Sequence, residues 1–529
     1  MNLFDAIFKP TSLEGTAILF EQQRISYAEL RQQTLAVARV LSALGVGQRD
    51  RVAIMLNDSP EFIAAFVAAC SYGAIAVPVN MGLRPEEQRA ILNDCTASFA
   101  IVEGELSKSL FAGASYLKEI LFVDRGSEKG AFSEDAIGHS EVAVNDGLSI
   151  RSFNKLIDDT GGSGVSEVDE VSFAEPAVDQ PAFILYTSGS TGEPKGAVHR
   201  QADIFFTNET YCREVLQLRD GDRLFSSSRL PFAYGLGNAF TFPLLNGCTA
   251  ILCREKPTPS VIAKIFATFK PTIFFAVPVV YSLLLANEKD ATLDCSSLRL
   301  CISAGEALPP AIGEEWEKTF GVPVLDGIGS TEMLHMWMSN HEGEVVYGSS
   351  GKVLQGYEAR LLDPEGRPTP EGVEGNLWVR GASAAIEYWK RPETTAATFA
   401  DGWVRTGDLY WQDSEGYWFH MGRSDDCFKS SGQWVSPVEV EAVLLRHGSV
   451  SSAAVEEDFD EARLPCACAF IVPSNDQPAL ENELREFARA QLPRFKQPRR
   501  YVFVDELPYT ATGKIQRFKL RERIRKANC

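Results

Sequence analysis

The chain predicts an α/β fold. A large N-terminal domain of stacked, mostly parallel sheets with helices carries a small β-rich subdomain, and a smaller α+β domain follows at the C-terminal end. Three observations predict it. Strand-like apolar runs alternate with capped helical patterns from about Arg51 onward, the grammar of βαβ units. Near Glu374 the texture changes to short strands and turns. Beyond Arg423 a second set of strands and helices fills roughly a hundred residues, the size of a small domain.

Each element has a local cause. Arg51–Leu56 is a short apolar run bounded by polar residues, hence a strand. Ser59-Pro60-Glu61 then caps a helix through about Cys70, with proline in the first turn. Ala74–Val79 is the next strand, and Arg84-Pro85-Glu86-Glu87 opens another helix. Phe99–Val102, Ile120–Val123, Phe183–Tyr186, Thr272–Val277 and Leu298–Ser303 continue the series of buried strands. Residues from about Gly126 to Gln180 are acidic and poor in apolar side chains, so they are expected to form irregular surface. Gly375–Arg380 and Gly416–His420 are short strands of the β-rich part. After Arg423 come a helix at Pro437–Arg446, strands at Ala453–Val455 and Cys468–Val472, a helix at Glu481–Gln491 and a basic terminal helix.

Composition narrows the class. The 529 residues are 45% hydrophobic and 23% charged, as in ordinary globular proteins, and the length implies more than one folding unit. A net charge of −20 argues against a nucleic-acid partner, which requires a basic face. Anionic small molecules would instead be handled by local lysines and arginines. The one basic concentration runs from Arg494 to Lys526; it is either a solvated face or a surface for a highly anionic cofactor such as coenzyme A. The eleven cysteines form no paired framework and no zinc spacing, which fits reduced thiols. No apolar run approaches the ~18–20 residues of a membrane span, and a cytoplasmic location is expected.

Residues 186–196, Tyr-Thr-Ser-Gly-Ser-Thr-Gly-Glu-Pro-Lys-Gly, narrow the function furthest. A strand feeds a loop of small and hydroxyl residues (Thr187, Ser188, Gly189, Ser190, Thr191, Gly192), whose backbone N–H groups can turn toward an anion. Lys195 adds a point charge for phosphate. The Walker pattern fails, because Pro194 precedes Lys195 and Gly196 follows it. A plain Gly/Ser linker would need neither the apolar strand nor the Pro-Lys-Gly exit.

The loop resembles that of the adenylate-forming superfamily of acyl-CoA synthetases, peptide-synthetase adenylation domains and beetle luciferases. Four further motifs, in family order, carry the resemblance: Asp326-Gly327-Ile328-Gly329-Ser330-Thr331-Glu332, Arg405-Thr406-Gly407-Asp408 with Tyr410, Gly422-Arg423-Ser424-Asp425-Asp426, and Thr512-Gly513-Lys514-Ile515. The resemblance implies an adenylation (AMP-binding) domain over residues 1–424 and a mobile C-terminal domain over 425–529 that rotates about a hinge at Asp425. It implies ATP, Mg²⁺ and coenzyme A. Lys195 and the hydroxyl loop would hold the β- and γ-phosphates, and Glu332 the Mg²⁺. Asp408 and Arg423 would hold the ribose, while Gly305, Glu306 and Ala307, with Asp326, Gly327, Ile328, Gly329 and Thr331, would flank the nucleotide. Lys514 would bridge the acyl carboxylate and the α-phosphate, where negative charge accumulates. Ser431, Gly432, Gln433 and Trp434 would line the pantetheine tunnel once the small domain has swung away.

Residues 228–243 and 328–335 resemble the benzoate:CoA ligase branch. That resemblance implies a flat aromatic slot walled by Ala233, Tyr234, Gly327, Met333, Leu334 and His335, with Phe240 and Val277 as further wall candidates. Benzoate and 2-aminobenzoate are the expected acids. The branch often has a further aromatic residue or lysine where this chain has Arg229-Leu230-Pro231. A stand-alone adenylation enzyme that loads a carrier protein would use the same adenylation residues, and an idle nucleotide-binding homologue is the third alternative. The partners expected are small molecules only, with a homodimer left open.

Overall fold

The computed structural model describes residues 2–9, 13–103, 111, 113–123, 148–161, 173, 177, 179–188, 194–287, 293–430, 433–460, 463–474, 480–509 and 515–527. Gly189, Ser190, Thr191, Gly192, Ser431, Gly432 and Lys514 therefore lie outside the described residues, as does the side chain of Ser188.

The fold is α/β, with a large N-terminal domain and a smaller C-terminal one. Among the described residues one sheet has eight strands, in the order Glu387–Tyr388, Pro194–Arg200, Pro181–Ser188, Ile75–Pro78, Arg51–Met55, Phe99–Glu103, Glu119–Val123 and Ser149–Ser152. From Pro181–Ser188 onward every pairing is parallel; the first two strands are antiparallel and close one edge. A second sheet has nine strands, with parallel Val324–Gly329, Leu300–Ser303, Ile273–Ala276, Arg223–Ser226, Thr249–Leu252 and Thr16–Phe20 at its centre. Strands buried on both faces read as continuous apolar runs, which is why the sequence displays them so plainly.

Helix Pro60–Tyr72 lies between the two sheets. Ser59 Oγ accepts from Phe62 N, Pro60 occupies the first turn, and nearly every side chain is buried. Its apolar surface shares one core with Ile54 and Phe183 of the first sheet and with Ala250 of the second. A third, antiparallel sheet (Glu358–Leu362, Gly375–Arg380, Trp403–Gln412, Phe399–Ala400 and Trp418–Arg423) packs Leu377, Val379 and Val404 against Leu300, Ile302 and Leu325. The β-rich texture thus begins at Glu358, ahead of the change visible near Glu374.

One expectation is corrected. The stretch 126–180 is not all irregular: Ser149–Ser152 adds the last parallel strand, and Phe153–Gly161 is a helix. Phe153, Leu156 and Ile157 recur at helical spacing and seat it on the first core, but the acidic residues around them mask the pattern.

The C-terminal part has its own core. Val450–Phe459, Pro465–Pro473 and Arg500–Phe503 form a sheet covered by helices Pro437–Leu444, Leu480–Gln491 and Arg517–Ala527. Its apolar clusters begin at Phe428, whereas those of the larger part end at Trp418. The ten cysteines among the described residues are all unpaired, and no described helix is long and apolar enough to cross a membrane.

Candidate active site

Pro181–Ser188 and Pro194–Arg200 are antiparallel, with Thr187 opposite Lys195 and Tyr186 opposite Gly196. The hydroxyl-rich segment therefore joins the two arms of a hairpin. A Cβ on Gly196 would meet Ile184 Cγ2 at 2.6 Å and the Tyr186 ring at 3.0 Å, so only glycine lets the arms close. Tyr186 Oη donates to Asp94 Oδ2 at 2.6 Å, and Arg391 reaches the other oxygen at 2.7 Å. The hairpin is thereby braced from below its loop.

Glu332 sits in a single 3-10 turn, Thr331–Met333, capped by Ser330 Oγ, which accepts from Met333 N. The turn is tied to the lysine hairpin once directly, and twice through the segment Ala385–Tyr388 that pairs with it. His199 Nε2 is 2.8 Å from Thr331 O, Ala385 N donates to Glu332 O at 2.8 Å, and Tyr388 Oη donates to Glu332 Oε1 at 2.6 Å. Lys195 Nζ lies 5.8 Å from the centroid of the same Tyr388 ring. The structure thus brings Lys195 and Glu332 to one place.

Asp408 and Arg423 are direct partners on neighbouring strands, and Arg423 Nη1 donates to Asp408 Oδ1 at 3.2 Å and to Thr406 O at 2.7 Å. Gly407, at φ +77°, lets the guanidinium pass, because a Cβ there would lie 2.6 Å from Arg423 Nη2. Burial would raise the Asp408 pKa, but His420 and Arg423 beside it hold the carboxyl below its usual value. It stands ready as an anionic acceptor.

Gly305 and Glu306 are exposed and Ala307 is half-buried, so this segment presents backbone to solvent. Val277 Cγ1 would lie 3.3 Å from a Cβ on Gly305, which places Val277 beside this segment. Asp326 supports it from beneath: it is 3% exposed, and its Oδ2 accepts from Leu308 N at 3.1 Å. Burial pushes its pKa up to about 7 against the opposing bonds from Leu308, Ser303 and Gly327.

The candidate slot begins where the Glu332 turn ends. Leu334 has φ +65°, a conformation a branched side chain adopts only at a cost. That twist sends Met333 into one core and Leu334 into another, where it joins Ala233, Leu236 and Phe240. His335 stacks on Tyr234 at 5.7 Å and touches Tyr211 and Phe242. Gly327 and Ile328 lie on the strand that ends at Gly329, directly before the turn. Phe240 is fully buried against Phe66, deeper than a wall position requires. Burial drives the His335 pKa down to about 3, with the Tyr234 backbone opposing, so the ring is neutral. Neither of its nitrogens has a hydrogen-bond partner among the described residues, and the same is true of Tyr211 Oη and the Asn238 amide.

Residues 9–389 match the AMP-binding enzyme family, and residues 439–514 match the AMP-binding enzyme C-terminal domain. The chain belongs to this family. Among its relatives, a benzoate–CoA ligase of Thauera aromatica is 42% identical over 91% of this chain and 87% of its own. An anthranilate–CoA ligase of Pseudomonas aeruginosa is 32% identical over 98% and 96%. The crystal structure of an anthranilate CoA ligase in complex with anthranoyl-AMP superposes with a TM-score of 0.90 at 35% identity, covering 100% of this chain and 98% of that one.

Within this AMP-binding enzyme, sequence reasoning missed Tyr388, His199, His420 and Tyr211. None belongs to a conspicuous motif. His199 could have been found from its neighbours: it closes the buried run Gly196–His199 on the strand Pro194–Arg200, and a buried histidine needs partners. Near the expected pivot, Ser424 Oγ donates to Gly407 O at 3.1 Å and Asp425 is exposed. Gln433 and Trp434 lie on the short strand Gln433–Val435, where Lys429 Nζ sits 5.0 Å over the Trp434 ring.

Proposed function

We propose that the protein is an ATP-dependent aryl-CoA ligase that adenylates benzoate or 2-aminobenzoate, releases pyrophosphate, and passes the acyl group to coenzyme A with release of AMP. The observation that carries the proposal is the three-residue step from Glu332 to His335 through the strained Leu334. It sets the carboxylate near Lys195 three residues from the stacked Tyr234–His335 pair, aromatic faces against which a planar ring can pack. An acid seated there would present its carboxylate to the α-phosphate of a nucleotide held by the hairpin.

In this proposal Lys195 and the Thr187–Gly192 hydroxyls neutralise the β- and γ-phosphates. Asp408 accepts from both ribose hydroxyls, Arg423 donates to the same sugar, and the Gly305–Ala307 backbone borders the adenine. Among the described residues no three His, Cys, Asp or Glu side chains converge on a metal site. One carboxylate beside a phosphate hairpin is instead what Mg²⁺ takes, with phosphates and waters completing its shell. When bound, Mg²⁺ would neutralise phosphate charge at Glu332. Lys514 stabilises the first transition state, and rotation about Asp425 then withdraws it and brings Ser431, Gly432, Gln433 and Trp434 alongside the pantetheine arm.

Coenzyme A fits better than a carrier protein because of a recess of about 250 Å³ lined by Arg485, Arg489, Arg494, Arg499, Gln497 and Tyr501. Arg485, Arg489 and Arg499 also pair with Glu481, Glu486 and Asp460, and with Arg494 they leave the recess a net positive charge that suits a compact polyanion. Retention of Lys195, Glu332, Asp408, Arg423 and Lys514 argues against an idle homologue. The test is ATP–pyrophosphate exchange, followed by AMP release with and without coenzyme A. Benzoate should drive exchange without the thiol, and coenzyme A should accelerate AMP release. Exchange with no acceleration by coenzyme A would transfer the assignment to a carrier-protein enzyme.

The pivot is testable as well. Asp426 N donates to Arg423 O at 3.0 Å, which makes residues 423–426 a turn with Asp425 at its third position. Proline there fixes φ and drives Ser424 out of the helical region, so this turn cannot persist unchanged. Asp425→Pro is expected to slow one half-reaction at least about tenfold more than the other, a bias of ~1.4 kcal/mol. Equal effects on both would remove Asp425 from the hinge.

A further inference from the structure

Segment 384–391 serves no role in the reaction as described, yet it touches both charged groups that would handle the phosphates. Its short strand Glu387–Tyr388 pairs with Val198 and Ala197, immediately beyond Lys195. Trp389 N donates to Gly196 O at 2.7 Å, and Ala385 N donates to Glu332 O. Tyr388 itself is 6% exposed, packs against Phe399, Ala197 and Ala385, and takes a backbone bond from its own N–H to Thr395 Oγ1 at 3.0 Å. Its ring is thus fixed, with its hydroxyl on Glu332 Oε1 and its face toward the Lys195 ammonium.

We infer that Tyr388 is the positioning residue for metal–nucleotide binding: its phenol fixes the Glu332 carboxylate so that Oε2 is presented to the Mg²⁺ of Mg·ATP, and its ring face parks the Lys195 ammonium beside it. The inference rests on the nucleotide site proposed above and adds a residue to it. The physical basis is twofold. A carboxylate free to rotate loses part of its affinity for a cation to entropy, and an outer partner that orients a metal ligand commonly contributes ~10- to 100-fold in metal affinity. A cation over an aromatic face is held in place without being neutralised, so Lys195 keeps its charge for phosphate.

The experiment needs no acid substrate. ATP binding is measured by calorimetry with Mg²⁺ and again with EDTA, for the full chain and for Tyr388→Phe, which keeps the ring and its packing. Metal-free ATP affinity and the thermal midpoint of the unliganded protein should stay near wild type. The Mg²⁺-dependent tightening should fall about 10-fold or more. Unchanged Mg²⁺ dependence in Tyr388→Phe would overturn the inference. Glu332→Gln supplies the control, because Tyr388→Phe should add nothing in that background; a further additive loss would also overturn it. Failure of the ligase proposal itself would show differently, as wild-type ATP binding with no acid-dependent pyrophosphate exchange.

Discussion

Replacing Lys514 by alanine is expected to lower adenylation from the free acid by about 10²–10³-fold, the usual weight of one charge-stabilising contact in a transition state. A preformed aryl adenylate should nevertheless still react with coenzyme A at close to the wild-type rate. The asymmetry follows from which part of the chain holds the lysine. Lys514 lies outside the described residues, but Arg517, three positions later, anchors the start of the last helix. Its guanidinium meets Glu441 at 2.9 Å, Glu456 at 3.2 Å and Asp426 at 3.7 Å, and Arg521 joins Asp426 and Glu456. Asp426 follows the expected pivot directly. One half-buried ionic cluster therefore fastens the residue after Asp425 to the helix that follows Lys514, so in the proposed mechanism a rotation at Asp425 would carry the lysine with the small domain. Pyrophosphate exchange and single-turnover thioester formation measure the two steps separately. Equal losses in both would mean that the lysine never leaves the acyl group, and the two-state mechanism would be wrong.

Much of this arrangement was legible in the chain because the relevant signals are local. The central strands are continuous apolar runs, and the segment from Tyr186 to Gly196 combines glycines, hydroxyls and a lysine, residue types that suit a phosphate although the Walker spacing fails. Asp408 and Arg423 are fifteen residues apart in the chain, and no periodicity joins them; their pairing follows from two antiparallel strands in register. Tyr388 was illegible for a stronger reason. A tyrosine between glutamate and tryptophan carries no spacing signal, and its meaning arises only when strand Glu387–Tyr388 docks on Pro194–Arg200. The helix Phe153–Gly161 was hidden by composition: its three apolar side chains suffice to seat it, while the acidic surroundings advertise a loop. Where function depends on contacts between distant segments, the residues that hold a charged group in place are less visible than the charged group itself.

Benzoate and 2-aminobenzoate are expected to be the good substrates, with 4-hydroxybenzoate and octanoate far behind in kcat/KM. In the proposed slot Ala233, Leu334 and the stacked Tyr234–His335 pair would be the walls, against which a rigid planar ring packs without losing rotamers. An eight-carbon chain would have to be frozen to fit, at roughly 0.5–1.5 kcal/mol for each immobilised flexible group. An ortho amino group donates within the molecule to its own carboxylate and so enters with little loss of solvation. It also meets His335, which burial holds neutral until about pH 3 and which therefore offers an acceptor nitrogen throughout the neutral range. His335→Leu should accordingly cost 2-aminobenzoate more than benzoate, and the ratio between the two acids in the wild type should be flat with pH. A para hydroxyl is carried to the far end of the slot, where an unpaired group costs roughly 1–3 kcal/mol, or about 5- to 150-fold. The measurement is kcat/KM for the four acids at saturating ATP and coenzyme A. A preference for octanoate would overturn the aromatic slot. A preference for 4-hydroxybenzoate would mean that Tyr211 Oη or the Asn238 amide, both buried and without partners among the described residues, receives the hydroxyl; loss of that preference in Tyr211→Phe would identify the phenol, and its loss in Asn238→Leu the amide.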